Sequence, residues 1–314
     1  MDSQTAFSDS YIVTAGSLYL DIDAYACSAA MRELLELKGE RAVAYSLAPA
    51  NYSVTDTLKS KGQLLNELPE GFSPQTSKYI IVDVSDPEYI GDRVPLENVV
   101  EVYDHHTGFE DYWTERIGDN SNIEFIGAAA TLIFREWKKA GAVDKMTRAS
   151  ALLLIAAILD NTLNLTSSNT TEEDKSAYRE LCRIAGIGDE WRACYFSEVQ
   201  KNVEADLKNA LFNDIKMIRE SRVLPQRLAQ LCVWDAESIM EKLPLIRGWF
   251  AERPGSWMMN IIDISRHRSV FVCDDAEIRM RIEEIFGVRF ADGTAVSETP
   301  YLRKEIIKKV NLTE

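Results

Sequence analysis

Long apolar runs are absent from this sequence. The longest candidate, Ala149 to Leu159, is interrupted by Ser150 and followed by Asp160, whereas a membrane-spanning helix needs about 20 apolar residues. The opening segment, Met1 to Ser10, is polar and lacks both the basic start and the apolar centre of a secretory signal. These absences argue against a membrane protein and against a secreted protein, and we expect a cytoplasmic location.

Cysteine and positive charge are also scarce. The five cysteines form no Cys-x-x-Cys pair, which argues against a disulfide framework and against a structural zinc site. The 35 lysines and arginines are outnumbered by 50 aspartates and glutamates, so the net charge is −15. Such a surface is repelled by nucleic acid and by anionic membranes. We therefore expect no membrane partner and no general affinity for nucleic acid, although metal ions can turn an acidic pocket into an anion site.

The first half of the chain alternates short β-branched runs with amphipathic segments. Its 314 residues are 46% hydrophobic, and this length suggests two domains, because single cores stop growing near about 250–300 residues. Strands that alternate with helices predict a parallel sheet with helices on both faces. We predict an α/β fold, with a first domain over residues 1–188 and a smaller, mixed α/β second domain over residues 195–314.

The predicted elements follow the hydrophobic periodicity. The nearly apolar helix over 148–159 is expected to be buried. The predicted strands are 11–20, 41–47, 78–82, 99–103, 230–234, 258–264 and 269–272, and the predicted helices are 24–38, 55–68, 128–139, 148–159, 170–184, 197–211 and 275–286.

Acidic residues and two histidines follow the predicted strands of the first domain. Ligands bind outside the carboxyl ends of parallel strands, so we expect these side chains to meet at one edge of the sheet. Carboxylates and imidazoles at such an edge can bind a divalent metal and donate a proton beside it. The candidates are Asp21, Asp23, Asp83, Asp104, His105 and His106, together with Asp160 at the end of the apolar helix.

Structural explanations compete with the metal-binding one. Asp21 and Asp23 can cap the following helix, and Asp83 can form a turn, although Asp86 fits that turn better. A carboxylate at Asp160 can also cap a segment, but it is costly at the end of an apolar helix without a partner or metal. Two adjacent histidines point in different directions, so one can bind metal while the other faces a substrate.

These motifs, in this order and spacing, resemble the four motifs of the DHH phosphoesterase superfamily. The segment from Gly127 to Leu132 also resembles the small-residue helix start that follows the family's histidine motif. The resemblance implies a metal-binding catalytic domain and an active site in the cleft between two domains. The four matching motifs are Asp21-Ile22-Asp23, Asp83, Asp104-His105-His106 and Asp160-Asn161-Thr162.

The second domain lacks the Gly-Gly-Gly-His type of loop found in superfamily members that cleave oligonucleotides or cyclic dinucleotides. Asp214-Ile215-Lys216 and Leu302-Arg303-Lys304-Glu305 instead resemble the Asp-x-Lys and Arg-Lys elements of family II inorganic pyrophosphatases and exopolyphosphatases. The resemblance implies that Lys216, Arg303 and Lys304 bind substrate phosphates, although Arg303-Lys304 can also be an ordinary basic segment. Arg266 and His267 are weaker candidates, for which a solvated basic turn is the alternative.

The resemblance further implies a centre of two divalent cations, Mn²⁺ or Mg²⁺. His106 would contact the substrate and protonate the leaving phosphate, and Asp104 would orient the histidines. One ion would be held by Asp21 and Asp83, and the other by Asp23, Asp83, His105 and Asp160, with Asp83 bridging the two.

One position departs from the pyrophosphatase pattern. Family II pyrophosphatases typically carry a histidine four residues before the first aspartate, where this chain has Ser17. Exopolyphosphatases also lack that histidine, and a missing nitrogen ligand should favour Mg²⁺. The resemblance therefore implies metal-dependent hydrolysis of phosphoanhydride bonds in inorganic polyphosphate, with pyrophosphate as the alternative substrate. A nucleotide phosphodiesterase and a non-catalytic binding module are further alternatives, and the sequence leaves the oligomeric state open.

Overall fold

A computed structural model describes residues 10–18, 20–213, 215–219 and 221–312 of the chain. The chain divides into two units, Met1–Trp191 and Arg192–Glu314. Among the described helices, none combines the length and the apolar character that crossing a lipid bilayer requires.

The first unit contains a parallel sheet, which in the described residues has five strands. In this sheet Val13 pairs with Ala44 on one side and with Ile80 on the other. The prediction of a parallel sheet flanked by helices is confirmed. The strands are β1 (Ser10–Thr14), β2 (Arg41–Ala44), β3 (Lys78–Val82), β4 (Val99–Asp104) and β5 (Ser121–Ile123), in the order β2-β1-β3-β4-β5.

The helices of the first unit include one that is almost wholly buried. The helix α6 is buried from Ser150 to Leu159, as its apolar sequence predicts, because a helix without a polar face cannot be exposed to water at low cost. A second core cluster includes Ile12, Tyr79, Ile81 and Trp113. The helices are α1 (Ile22–Leu37), α2 (Asp56–Gly62), α3 (Pro87–Ile90), α4 (Glu110–Ile117), α5 (Ala129–Lys139), α6 (Arg148–Asn161) and α7 (Glu172–Ala185).

The second unit contains a mixed sheet, so the predicted mixed α/β class is confirmed. Its strands β7 and β8 are parallel, and the other described pairs are antiparallel. The helix α8 (Glu190–Ala205) includes the division between the units. The remaining elements are α9 (Leu207–Asn213), β6 (Lys216–Met217), β7 (Arg227–Val233), α10 (Glu237–Met240), α11 (Leu243–Ala251), β8 (Trp257–Asp263), β9 (Arg268–Val272), α12 (Ala276–Phe286), β10 (Thr294–Ser297) and α13 (Arg303–Asn311), with the sheet order β10-β9-β8-β7-β6.

Two predicted helices differ from the observed ones. The helix predicted over 55–68 ends at Gly62, because Gln63 adopts a left-handed conformation with a φ of 52°. The helix predicted over 197–211 is divided into α8 and α9 at Asp206, whose carbonyl begins α9 by accepting a hydrogen bond from the N–H of Ala210. The strand predicted over 11–20 ends at Thr14. The elements that were not predicted are α3, α4, α10, α11, α13, β5, β6 and β10; β5, for example, has only three residues, and its sequence is mostly polar.

Candidate metal centre

Two strands of the first sheet end side by side where the strand order reverses. From β1 the chain crosses to β2 on one side, whereas β3, on its other side, is followed by β4 and β5. Sheets of this order bind ligands in the crevice outside the carboxyl ends of those two central strands. Asp83 directly follows β3, and Asp21 lies on the connection from β1 to α1. The topology therefore places two of the predicted ligands at the expected position.

Asp83 leaves β3 in an unusual backbone conformation. Its φ of 59° lies in the left-handed region, which residues other than glycine seldom adopt. Its side chain is only 3% exposed, and its Oδ1 accepts no hydrogen bond from the described residues. Burial, followed by the charges of Asp21, Asp23 and Asp104, raises the pKa of Asp83 well above its ordinary value. Such an oxygen is stabilised by a proton or by a cation.

The ring of His105 is oriented by a main-chain carbonyl. Its Nδ1 lies 3.2 Å from the carbonyl oxygen of Ile126, and since a carbonyl only accepts hydrogen bonds, Nδ1 must carry the proton. In the neutral ring, Nε2 therefore presents a lone pair. This Nε2 lies 3.4 Å from Oδ1 of Asp83, and the His105 side chain is only 5% exposed. Two buried lone pairs that face each other fit a divalent metal ion, and this donor set suits Mn²⁺ and related ions.

His106 lies beside His105 but is exposed to solvent. Its Nδ1 is 2.9 Å from Oδ1 of the fully buried Asp104, which also accepts the main-chain N–H of His106. The surrounding protein displaces part of the water around this partly exposed ring, which opposes protonation, but the hydrogen bond and the charge of Asp104 outweigh that effect and raise the pKa of His106. Within the described chain, ligand atoms of Asp83, His105 and His106 lie within 4.8 Å of one another. Asp104 thus contacts one of the two histidines that it was predicted to orient.

Asp21 and Asp23 have structural partners as well. Oδ1 of Asp21 accepts the N–H groups of Asp23 and Ala24 at 3.0 Å each, so Asp21 caps α1. Both oxygens of the buried Asp23 accept N–H groups from the start of α5, those of Ala129 and Ala130, at 2.8 Å each. Burial and the charge of Asp21 raise the pKa of Asp23 to about 7. The thiol of Cys27 also donates to Oδ1 of Asp23 at 3.3 Å. A carboxylate oxygen has two lone pairs, so Oδ2, which accepts the N–H of Ala129, is the oxygen with room for a metal ion.

Asp160 lies in the last turn of α6 and is partly exposed. It is not among the ligand atoms that group with Asp83. The chain after it turns through Leu163, Asn164 and Leu165, all of which have positive φ angles. Residues other than glycine seldom adopt this backbone conformation, so the turn after Asp160 is strained.

The predicted phosphate-binding residues lie in the second unit. Asp214, which begins the Asp-x-Lys motif, is outside the described residues. Lys216 is exposed on β6, and Arg303 and Lys304 begin α13. Arg266 is committed to carboxylates, since it lies within 3.4 Å of Asp235, Glu237 and Asp263. His267 occupies the turn between β8 and β9 with a φ of 52°, which favours the basic-turn interpretation for these two residues.

The main-chain groups at the start of α5 were missed as functional groups by sequence analysis. The carbonyl of Ile126 contacts His105, and the N–H groups of Ala129 and Ala130 contact Asp23. Main-chain groups carry no side-chain signal. The only sequence signal for these contacts is the run of small residues after Gly127, because small side chains allow another chain segment to approach the main chain closely.

Comparison with known sequences finds proteins named as manganese-dependent inorganic pyrophosphatases. A Deinococcus radiodurans protein, named a probable manganese-dependent inorganic pyrophosphatase, is 29% identical over 185 residues, which are 55% of this chain and 54% of that protein. A Bacillus licheniformis protein with the same name is 24% identical and covers 91% of this chain and 93% of its own length. No model of a protein family matches the chain.

Two solved structures share the fold of the chain. A Methanococcus jannaschii protein assigned to the family II inorganic pyrophosphatases superposes with a TM-score of 0.64 at 20% identity and covers 96% of this chain and 98% of its own. An exopolyphosphatase-related protein from Bacteroides fragilis has a TM-score of 0.54 at 14% identity and covers 97% of this chain and 91% of its own.

The comparisons confirm the resemblance to the DHH phosphoesterase superfamily, in the branch of the family II pyrophosphatases and exopolyphosphatases. The match to the Deinococcus radiodurans relative spans about half of that protein's length. The activity, the substrate and the metal ions of this chain are therefore proposals.

Proposed function

We propose that this chain hydrolyses a phosphoanhydride bond of inorganic polyphosphate or, alternatively, of pyrophosphate, with the help of two divalent cations, Mn²⁺ or Mg²⁺. The observation that carries the proposal is the contact between Asp83 Oδ1 and His105 Nε2 at 3.4 Å. Both atoms are buried, and the carbonyl of Ile126 holds the histidine in the tautomer that turns its lone pair to the carboxylate. The manganese dependence in the names of the relatives supports the same chemistry.

The predicted ligand set can hold such ions. Asp83 and His105 would share one ion, and Asp21, Asp23 and Asp160 would complete the two sites, with Asp83 bridging. When bound, divalent ions supply an activated water and positive charge for the phosphates. The carboxylates would be held for this purpose by α1 and α5, whose first N–H groups fix Asp21 and Asp23.

The exposed ring of His106 is suited to contact the substrate. Nδ1 donates its hydrogen bond to Asp104, so in the protonated ring the opposite nitrogen, Nε2–H, can contact a phosphate oxygen and donate its proton to the leaving group. Lys216, Arg303 and Lys304 would bind the phosphate oxygens through charge-assisted hydrogen bonds. These roles distinguish His106 from His105, whose ring is buried and faces Asp83.

There are two candidate substrates, pyrophosphate and polyphosphate. Pyrophosphate is supported by the names of the sequence relatives. Polyphosphate is supported by Ser17, which offers no nitrogen ligand. The hydroxyl of Ser17 is packed against the backbone of Gly91, where an added Cβ would lie 2.5 Å from Ser17 Oγ.

The test is a parallel assay of the purified full chain with Mn²⁺ or Mg²⁺. Pyrophosphate, tripolyphosphate, long-chain polyphosphate and a dinucleotide are supplied separately, and phosphate release is measured. We expect release from pyrophosphate or from short polyphosphate, and the faster of the two identifies the substrate. Cleavage of the dinucleotide alone would indicate a phosphodiesterase. A chain that binds the metal but releases phosphate from no anhydride would refute the proposed activity.

A further inference from the structure

Asp174, at the start of α7, is a buried carboxylate that the proposed reaction does not use. It is fully buried, and its two oxygens accept four hydrogen bonds. Two come from the N–H and the hydroxyl of Thr171, the N-cap residue of α7, at 2.8 and 2.7 Å. The other two come from the N–H of Gly127 at 3.0 Å and the hydroxyl of Thr131 at 2.6 Å. A cap for α7 alone would need only the first pair, so the second pair requires another explanation.

The residues that Asp174 holds belong to the segment before and within the first turn of α5, residues 126–131, which we call the entry loop. This loop contacts two proposed metal ligands through its main chain. The carbonyl of Ile126 orients His105, and the N–H groups of Ala129 and Ala130 hold Asp23. Asp174 therefore forms hydrogen bonds to a loop that in turn contacts two ligands of one proposed ion, His105 and Asp23.

The entry loop is packed too closely to move freely. A Cβ added to Gly127 would lie 2.6 Å from Asp174 Oδ2 and 2.6 Å from a methyl carbon of Thr162, so only glycine fits. The carbonyl of Gly127 also accepts a hydrogen bond from the side chain of Asn169 at 3.3 Å. Side chains that follow α6 thus bind both main-chain groups of Gly127.

We propose that Asp174 is a positioning residue for the metal centre, which holds the entry loop so that Ile126 orients His105 and the first turn of α5 orients Asp23. The inference rests on the proposed function only in that the centre must bind metal. Groups that orient metal ligands typically change metal affinity by about 10- to 100-fold when they are removed.

The experiment compares Asp174→Asn with Glu33→Gln in the full chain. Glu33 is a matched control, because its carboxylate also caps a helix of the first unit. It accepts the N–H and the hydroxyl of Thr147 at 2.8 and 2.7 Å and the hydroxyl of Ser150 at the start of α6. The dissociation constant of Mn²⁺ is measured from the electron paramagnetic resonance signal of the free ion, and the thermal unfolding midpoint of the metal-free protein is measured in parallel.

We expect Asp174→Asn to weaken Mn²⁺ binding by about 10- to 100-fold, while Glu33→Gln lowers the unfolding midpoint but leaves Mn²⁺ binding unchanged. Thr131→Val should weaken Mn²⁺ binding in the same direction, and Thr131→Ser, which keeps the hydroxyl, should restore it. Unchanged Mn²⁺ affinity in Asp174→Asn and Thr131→Val, or an equal loss in Glu33→Gln, would overturn the positioning role. Wild-type protein that binds Mn²⁺ without hydrolysing any anhydride would overturn the proposed activity alone, and wild-type protein that binds no Mn²⁺ would overturn both.

Discussion

Asp83 combines three properties that seldom occur together in an aspartate. It has a positive φ, it is almost fully buried, and one of its oxygens accepts no hydrogen bond from the described chain. Each property costs free energy, and strained residues that persist in a fold tend to lie at functional sites. The neighbouring Asp86 shows the contrast, since it is partly exposed and caps α3 by accepting the N–H of Glu88 at 2.9 Å.

The sequence predicted the turn at Asp86, because Asp-Pro is a known turn signal and Asp86 precedes Pro87. The turn role predicted for Asp86 is confirmed by its cap on α3. The positive φ of Asp83 could not be predicted, since it arises from how β3 joins the following turn. The sequence could likewise identify His105 and His106 as a pair but not which ring is buried.

Asp83→Asn and His106→Ala should separate metal binding from turnover. An amide replaces an anionic ligand oxygen in Asp83→Asn, so we expect Mn²⁺ affinity to fall at least about 100-fold and phosphate release to be lost. His106→Ala should keep Mn²⁺ affinity within about threefold and lose about 100-fold or more in turnover, which is the contribution typical of a proton donor. Titration with Mn²⁺ and steady-state phosphate release measure the two effects.

Asp86→Asn is the control for this pair, because asparagine caps a helix about as well as aspartate. It should preserve both Mn²⁺ affinity and turnover. If His106→Ala lost as much Mn²⁺ affinity as Asp83→Asn, the ring of His106 would be a metal ligand, which the short distances within the group of Asp83, His105 and His106 also permit.

Helices and strands with strong periodicity were predicted well, whereas contacts between them were not. The strand over 78–82 and the buried helix α6 were recognisable from β-branched and apolar runs. The hydrogen bonds from the start of α5 to the carboxylate of Asp23 could not be predicted, because they join residues more than 100 positions apart. Local patterns report which face of an element is buried but not what is buried against it.

The helix α13 gives a matched pair of lysines for testing phosphate binding. Its first turn carries Arg303 and Lys304, and the N–H of Arg303 donates a hydrogen bond to Gln230 on β7 at 2.6 Å, so the start of this helix is held in place. Lys304→Ala should raise the KM for pyrophosphate about 10-fold, since a charge-assisted hydrogen bond contributes about 1.5–3 kcal/mol. Lys308→Ala, an exposed lysine one turn later, should leave KM unchanged. Equal effects of the two substitutions would show that only the overall charge of the helix matters.

The charge of the whole chain opposes the binding of a phosphate-rich substrate. Acidic residues exceed basic ones by 15, and two divalent ions would offset only four of those charges. A substrate that approaches such a surface is repelled at long range and is attracted only near bound metal ions or lysine and arginine side chains. Affinity therefore depends on short-range contacts, which salt screens less than the repulsion between distant charges.

A salt titration tests this balance at the scale of the whole molecule. The screening length falls from about 30 Å at 0.01 M salt to about 8 Å at 0.15 M, so the long-range repulsion weakens while contacts at the metal ions persist. At constant free Mg²⁺, we expect kcat/KM for pyrophosphate to rise about two- to fivefold over this range, and more steeply for tripolyphosphate, which carries more charge. A fall in kcat/KM would mean that local cations dominate the field, and Lys304→Ala should then reduce that fall.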